Sequence, residues 1–489
     1  MKKLCVLPFM LVVLLYADTP WISNVRVSTD VAWDSLNQGE SCFAIWGDTI
    51  VSICNTAERG NIPIAPYAYS FDGGQTFTQI PFTDLTGGTW HTDPVIAIDD
   101  SGYVHMLIQF SISRLKHYLS RDGGQTWADT SVVWNTYGVD KPWMVVHNNE
   151  IYIVWQQTSG SSGIIFAKST DYGATWNTSN IWDRTGITAL CMDENENLHL
   201  ELVHWGGDVY YRKSADYGET WSQEVMLGTY YYTTSYGDRC PINSITATGN
   251  VVFATWVANN FNGSWDVMGV RSTDSGATWG TPFVVNDITA GGQCKGWAHF
   301  DVYGGLHVTY YHTPDWPTDF TSLFSFRYQY SSDSGATFDP SIRVSDTSVT
   351  SLADFMGEYH ICVSDSQYLY AIWTDGRNGD DNDLYFSKAL LSELSVEEIV
   401  RQVLEPRHIL RLPTIWNGNV TMKVIQHPNP IEIKAYDVSG RMIKQLYAGK
   451  VNIPVQIQLK SNDFPRGIIF IKLNSKDITE VRKIINLGK

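Results

Sequence analysis

Acidic, basic and aromatic side chains stand just before several apolar, strand-like runs of this chain. They are His91 and Asp93, Asp140 and Lys141, Asp238 and Arg239, Lys295, and Glu358 and Tyr359. Segments that follow other runs add Glu58 and Arg59, Trp316, and Asp375 with Arg377. Glycan chemistry needs a carboxyl acid/base, a group that stabilises an oxocarbenium-like transition state, and a flat apolar surface for the sugar. The set therefore indicates a carbohydrate-directed site, provided that the fold brings these segments together.

Six copies of the octapeptide Ser-x-Asp-x-Gly-x-Thr-(Trp/Phe) indicate the fold that positions them. They occupy residues 70–77, 120–127, 169–176, 214–221, 272–279 and 331–338. This spacing is that of a four-stranded propeller blade. The Asp and Ser/Thr oxygens can accept turn amides, the Gly can adopt the positive φ of a tight reversal, and the closing aromatic can wedge between blades. A structural role for these aspartates is therefore favoured over a catalytic one.

The repeats predict an all-β protein with a seven-bladed propeller over residues 18–390; six blades is the alternative. Residues 383–387 match a third strand with no octapeptide after it, and residues 24–30 resemble the fourth strand at residues 341–346. An N-terminal strand would then complete the last blade and remove the exposed edges. The octapeptides join third to fourth strands and share one rim, so the charged segments converge on the opposite rim, at the mouth of the channel.

The chain begins with two lysines and an apolar run that ends near Ala17, which predicts a signal peptide over residues 1–17. No later run is long enough for a transmembrane segment. The net charge is −17, and residues 1–400 hold 19 Lys and Arg against 45 Asp and Glu. Such an acidic propeller argues against nucleic acid and anionic membranes as partners. We expect a secreted or cell-surface protein.

The cysteines and histidines show no metal-ligand spacing, so no cofactor is expected. Cys240 and Cys294 occupy similar points of adjacent repeats and are the best disulfide candidates; buried free thiols are the alternative. A Ca²⁺ site is possible at four aspartates, although a solvated polar turn explains them better: Asp375, Asp380, Asp381 and Asp383.

Beyond residue 390 the composition changes. A capping-box pattern from Ser395 predicts a short helix within a linker over residues 391–414. Five alternating runs predict an antiparallel β-sandwich over residues 415–489, at residues 420–425, 431–438, 455–459, 468–473 and 481–486. The Tyr-Asp-Val-Ser-Gly-Arg string at residues 436–441 and the Pro-Arg-Gly string at residues 465–467 resemble the C-terminal sorting domain of type IX secretion. That resemblance implies the secretion machinery as a partner; a general immunoglobulin-like module is the alternative.

The octapeptides themselves resemble the Asp-box (BNR) repeats of the sialidase superfamily, which implies a β-propeller. Sialidases use a Tyr nucleophile assisted by a Glu, an Asp acid/base and three arginines that grip the substrate carboxylate. By this resemblance Tyr359 matches the nucleophile and Asp93 the acid/base, while Arg239 and Arg377 match carboxylate ligands. Arg59 is the one guanidinium of the first repeat. Lys141 and Lys295 stand at the comparable entries of other repeats, where lysine lacks the forked contact of arginine.

Two functions remain open at this point. The first is a secreted, sialidase-like glycoside hydrolase that removes terminal sugars such as sialic acid, with Asp93, Glu358 and Tyr359 as catalytic residues. Its substrate-binding residues are Arg59, Lys141, Arg239, Lys295, Trp316 and Arg377. The second is a non-catalytic, adhesin-like surface module that binds carbohydrate or protein. A glycan or glycoprotein is the expected ligand under the first reading and a leading candidate under the second.

Overall fold

The computed structural model of the chain is almost entirely β. It describes residues 20–28, 37–57, 65–81, 91–110, 114–127, 129–136, 138–160, 162–230, 243–259, 264–314, 323–350, 360–379, 382–394, 410–411, 415–416, 419–424, 427–451, 455–476 and 479–486. No helix within these ranges is long and apolar enough to cross a membrane.

Seven antiparallel sheets follow one another along the propeller. Blade one contains β2 (Asn37–Trp46), β3 (Thr49–Ala57), β4 (Pro66–Ser70) and β5 (Thr78–Pro81). Blade two contains β6 (His91–Ile98), β7 (Val104–Phe110), β8 (Arg114–Ser120) and β9 (Asp129–Trp134). Blade three contains β10 (Val139–His147), β11 (Glu150–Gln157), β12 (Gly163–Ser169) and β13 (Asn177–Trp182). Blades four and five contain β14 (Gly186–Met192), β15 (Leu198–His204), β16 (Asp208–Ser214) and β17 (Val225–Thr229); and β18 (Ser244–Thr248), β19 (Val251–Asn259), β20 (Trp265–Ser272) and β21 (Phe283–Val284). Blade six contains β22 (Gly292–Phe300), β23 (Leu306–Thr313), β24 (Leu323–Ser331) and β25 (Ile342–Arg343), with β26 (Val349–Thr350) paired to β24.

Blade seven joins the two ends of the propeller. It contains β27 (Ile361–Ser364), β28 (Tyr368–Asp375), β29 (Asp383–Leu390) and, as its fourth strand, β1 (Val25–Arg26), in which Val25 lies opposite Phe386. The inner strands also contact each other in ring order, and β2 contacts β27. The prediction of seven blades closed by the N-terminal strand is therefore confirmed, and the six-bladed alternative is excluded.

The octapeptides form the predicted turns between third and fourth strands. In every copy the Gly amide donates to the Ser Oγ at 2.7–3.0 Å, and the Thr hydroxyl donates to the Asp Oδ2 at 2.5–2.7 Å. The six glycines have φ between +83° and +88°. Because all of these bonds are local, each turn folds from its own eight residues.

Each turn also fastens its blade to the preceding one. The closing aromatic lies 4.8–6.0 Å, between ring centroids, from an aromatic or His of that blade in all six copies. In blade five, for example, Trp279 packs on Tyr211, and a Cβ at Gly276 would stand 2.0 Å from the Tyr211 hydroxyl oxygen. The glycine is therefore needed for close packing as well as for its backbone conformation.

The C-terminal region forms two sheets around its own apolar core. Its strands are β30 (Leu410–Arg411), β31 (Ile415–Trp416), β32 (Asn419–Val424), β33 (His427–Tyr436), β34 (Met442–Val451), β35 (Val455–Lys460), β36 (Gly467–Asn474) and β37 (Thr479–Asn486), with a 3₁₀ turn at Ser461–Asp463. β30 falls within the predicted linker, and β34 was not predicted. The helix α1 (Leu391–Leu394) follows β29, whereas the helix predicted from Ser395 lies outside the described residues.

Candidate functional site at the propeller mouth

The inner strands of four blades carry a β-bulge near their first residues, on the rim opposite the octapeptides. Each bulge places a charged residue at positive φ: Glu40 at +51°, Asp93 at +45°, Lys141 at +49° and Lys295 at +56°. This conformation costs a non-glycine residue about 1 kcal/mol or more and is concentrated at functional sites, where bulges redirect side chains. Positive φ also recurs in the octapeptides, at Tyr172, Tyr217, Ser275 and Ser334. It is therefore the combination of a bulge with a charged side chain that marks the opposite rim as the candidate site.

Three of these side chains meet across three consecutive blades. The Lys141 ammonium donates to Glu40 Oε1 and to Asp93 Oδ1, each at 3.2 Å. Both acidic residues are nearly buried, Glu40 being 1% exposed and Asp93 6% exposed. Asn55, on the neighbouring strand β3, donates to the second Glu40 carboxylate oxygen. Two carboxylates therefore share one ammonium at the mouth of the channel. Because each accepting oxygen lies 3.2 Å from the ammonium nitrogen, the two oxygens are at most twice that distance apart.

Lys295 carries a positive charge on blade six, at the bulge equivalent to that of Lys141. It is 1% exposed. Burial, and secondarily this ammonium, lower the pKa of His360 to about 3, so the imidazole is neutral at physiological pH. The sequence prediction that both lysines belong to the site rim agrees with their positions, while their roles toward a substrate remain predictions.

Two tryptophans from opposite sides of the ring meet next to the charged bulges. Trp143 and Trp297 stand two residues after Lys141 and Lys295, and their ring centroids are 5.0 Å apart. Since one ring belongs to blade three and the other to blade six, the contact spans the central channel. We use the name cup for the four charged bulge residues together with this tryptophan pair, which is its floor. The bulge residues are Glu40, Asp93, Lys141 and Lys295.

Arg377 lies on the predicted rim but is engaged in the scaffold. Its guanidinium donates to both Asp375 carboxylate oxygens at 3.0 and 2.6 Å, to Asn24 Oδ1 at 3.0 Å, and to Asp346. It also stacks 4.1 Å from the centroid of the Tyr385 ring. These contacts join blades six and seven to the N-terminal strand, so the geometry favours a structural role over the predicted carboxylate grip.

The predicted calcium aspartates do not form a cation site in the part that is described. Asp375 holds Arg377, and Asp383 accepts from Arg26 at 2.9 Å and from Asn378. Asp380 and Asp381 lie outside the described residues. No group of three metal-ligating side chains occurs among the residues that the structure describes.

Several other predicted residues also lie outside the described ranges: Arg59, Arg239, Trp316, Glu358, Tyr359 and Cys240. Cys294, the proposed partner of Cys240, is buried in β22. Four further cysteines are unbridged, and burial raises the pKa of the Cys42 and Cys362 thiols to about 12. This agrees with the alternative reading of buried thiols for Cys42, Cys54 and Cys362, while Cys191 is partly buried.

Sequence reasoning missed Glu40 and the tryptophan floor. A signal for Glu40 existed, because Gly-Glu-Ser-Cys at residues 39–42 corresponds to Thr-Asp-Pro-Val at residues 92–95 and Asp-Lys-Pro-Trp at residues 140–143. In each string a charged residue stands two places before an apolar strand begins. The pairing of Trp143 with Trp297 had no local signal.

Comparison with known proteins identifies the C-terminal region. Residues 414–486 match the model of the secretion system C-terminal sorting domain. The sorting domain predicted from the sequence is therefore confirmed, and it indicates export through a secretion system to the cell surface or beyond. No curated protein matches the chain.

Solved structures that resemble the chain include three enzymes. NanB sialidase from Streptococcus pneumoniae is 11% identical, with 77% of this chain and 71% of that chain covered and a TM-score of 0.43. A polysaccharide lyase, PL25 ulvan lyase, is 13% identical over 76% and 98%, with a TM-score of 0.46. An α-L-arabinofuranosidase from Fusarium graminearum is 15% identical over 76% and 99%, with a TM-score of 0.40. These likenesses are distant, and the propeller assignment rests on the strand pairing described above.

Fold and comparison together define the class of protein. The chain is a seven-bladed β-propeller followed by a secretion system C-terminal sorting domain.

Proposed function

We propose that this protein is an exported, glycan-directed propeller that hydrolyses a terminal sugar in the cup. The observation that carries the proposal is the pairing of Glu40 and Asp93 through Lys141 above an aromatic floor. Four β-bulges that each place a charged residue on one rim support it, since bulges redirect side chains next to active sites.

The cup contains the groups that glycoside hydrolysis requires. The two carboxylate oxygens that accept from Lys141 are at most twice 3.2 Å apart, so both carboxyl groups can contact the same sugar ring. Asp93, the more exposed of the pair, is the proposed acid/base. Glu40, held by Lys141 and Asn55, is the proposed anion that stabilises positive charge developing on the sugar ring. The tryptophan floor offers a flat apolar surface.

The sialidase resemblance adds two residues to this proposal. Tyr359 is the proposed nucleophile, and Glu358 is a further proposed carboxylate of the site. Both follow from sequence position alone, and their roles rest on the experiment below.

The test is turnover of a panel of aryl glycosides, including an aryl sialoside, by the full secreted chain. Asp93→Asn and Tyr359→Phe should each reduce turnover by at least a hundredfold, because each removes one chemical step. Asp129→Asn is the matched control, since Asp129 is a half-exposed aspartate of the same blade that pairs with Arg121 at the surface. A folded wild-type protein that turns over no member of the panel would refute the hydrolase.

A binding module is the second candidate, favoured by the engagement of the charged groups. Lys141 neutralises part of the charge of both carboxylates, and Arg377 is held by Asp375 and Asp346. Under this proposal the cup recognises a glycan or a protein without cleaving it. Glycan and protein arrays probed with wild type and Glu40→Gln distinguish the candidates, because hydrolysis in the absence of any array ligand excludes a pure binding module.

A further inference from the structure

Aromatic rings are exposed on the octapeptide rim, opposite the cup. Trp46 ends β2 and is 53% exposed, and Phe71 is the second residue of the first octapeptide and is 47% exposed. Tyr103 in the β6–β7 turn and Tyr172 in the third octapeptide are partly exposed. We call these four residues the aromatic arc. They come from the same two kinds of turn in three successive blades.

Glycines set the orientation of two of these rings. A Cβ at Gly102 would meet three atoms of the Trp46 ring, all at 3.1 Å, so this glycine lies under the face of the indole. A Cβ at Gly123 would stand 2.8 Å from Phe71 Cε1. Both glycines have positive φ, +81° and +74°. One side of the Trp46 ring thus rests on backbone of the next blade, and the other side faces solvent.

The arc is continuous across the blade boundaries. Tyr103 directly follows Gly102, and its ring centroid is 5.8 Å from that of Tyr172 on blade three. The Arg121 guanidinium lies 5.5 Å from the Tyr103 ring centroid. Because these side chains stand on hydrogen-bonded turns, the surface is ordered before any ligand arrives, which lowers the entropy lost on binding.

The chemistry of the arc selects among partners. Contiguous exposed aromatic surface is uncommon on soluble proteins and marks interaction sites. Residues 1–400 contain 45 acidic and 19 basic residues, and the resulting negative charge repels polyanions. An uncharged sugar ring is not repelled, and its C–H face can lie flat on an aromatic ring whose edge hydrogen-bonds to water or hydroxyls.

We propose that the aromatic arc is a second carbohydrate-binding surface, which holds a neutral polysaccharide chain independently of the cup. The arc would attach the exported protein to a polymer while the cup acts on a chain end. Its existence does not depend on whether the cup is catalytic.

The proposal is tested by affinity electrophoresis of the full chain in gels that contain mixed-linkage β-glucan, xyloglucan or galactomannan, with heparin as the acidic comparison. Trp46→Ala and Tyr103→Ala should each weaken retention about tenfold, since one stacked ring is lost. Tyr303→Ala is the matched control, because Tyr303 is 50% exposed on the same rim in blade six, away from the arc. Glu40→Gln tests independence from the cup and should leave retention unchanged.

Four results would overturn the proposal. Three of them concern retention in the gel: no neutral polysaccharide retains the wild type, heparin retains it more strongly, or Glu40→Gln loses retention while the arc variants keep it. The fourth is a wild-type dimer in sedimentation that Trp46→Ala dissociates. The last result would identify a second copy of the chain as the occupant. Equal thermal midpoints of all variants confirm that the folds are intact, and turnover in the cup is measured separately.

Discussion

The two rims of the propeller hold their carboxylates in different ways. On the octapeptide rim, Asp72 accepts from Ser70, Gln75 and Thr76, all within four residues along the chain. On the opposite rim, Asp93 accepts from Lys141 on the next blade, and Glu40 shares the same ammonium from the blade before. The first arrangement occurs six times, while the second occurs once among the described residues.

This difference separates the octapeptide rim, which is scaffold, from the opposite rim, which carries the candidate site. A turn whose hydrogen bonds lie within its own eight residues can be repeated in every blade. The carboxylate of that turn uses its hydrogen bonds inside the turn and, among the described residues, directs none of them to another blade. The bulges also recur, but their residues change from Glu to Asp to Lys. Conserved backbone geometry with varied charge is what a site assembled from several blades requires.

The largest effect is expected where the shared ammonium is removed. Lys141→Met leaves two nearly buried carboxylates facing each other, and we expect a loss of about 3 kcal/mol in the free energy of unfolding at pH 7. The loss is expected to be large because two like charges that have lost their shared counter-ion remain nearly buried and close together.

Urea unfolding at pH 7 measures this loss. Arg121→Met, which removes a surface ion pair with Asp129, is the control and should cost less than about 1 kcal/mol. Equal losses in the two variants would remove the distinction between the cup and an ordinary surface pair.

A slightly smaller effect is expected in the scaffold at Gly276. Gly276→Ala adds a Cβ 2.0 Å from the Tyr211 hydroxyl oxygen at a φ of +84°, which combines overpacking with backbone strain and should cost about 2 to 3 kcal/mol. Gly47→Ala is the control that measures backbone strain without overpacking, because Gly47 has a φ of +58° and no heavy atom within 4 Å of its Cβ position. We expect this variant to lose about 1 kcal/mol of stability. If thermal denaturation shows the same loss for both, the octapeptide glycine does not fasten the blades.

Arg377 tests the boundary between the two regions. Arg377→Lys keeps the charge but loses the forked contact with Asp375, so stability should fall by about 1 kcal/mol while turnover or ligand binding is retained. The readout pairs a thermal midpoint with activity. A variant of unchanged stability and lost activity would return Arg377 to the site.

The smallest effect concerns the acid response of the octapeptides. Hydrogen bonds, first from the Thr76 hydroxyl and then from its amide, lower the pKa of Asp72 to about 2. A folded pKa below the unfolded value means that this stabilisation is present above about pH 4 and is lost as pH falls toward 2. Asp72→Asn should therefore flatten the acid unfolding curve slightly, by less than about 1 kcal/mol because the group is exposed. Side-chain NMR titration reports the pKa directly, and a value near 4 would contradict the prediction.

Much of the fold could be predicted because its signals are local and repeated. The octapeptides, the alternating runs and the likeness of residues 24–30 to residues 341–346 led to seven blades with an N-terminal closing strand. β34 was missed, since its residues alternate less clearly between exposed and buried positions than its neighbours.

The candidate site could be predicted only in part. Asp93, Lys141 and Lys295 were found because each precedes an apolar run. Glu40 was overlooked in the first blade, which has no preceding octapeptide as a guide. Arg377 was placed on the correct rim, but its partners Asn24 and Asp346 come from the opposite end of the chain and from another blade, and only closure of the ring brings them together.

By itself the sequence determined the repeated turn and the acidic charge of the propeller, and it favoured seven blades and a sorting domain. These features depend on residues within about ten positions of each other or on composition. Only the tertiary structure decided that Glu40, Asp93 and Lys141 form one cluster, that Trp143 meets Trp297 across the channel, and that Trp46 lies flat on Gly102. Such contacts join different blades, and their geometry is set by the closure of the ring, which no local stretch of sequence encodes.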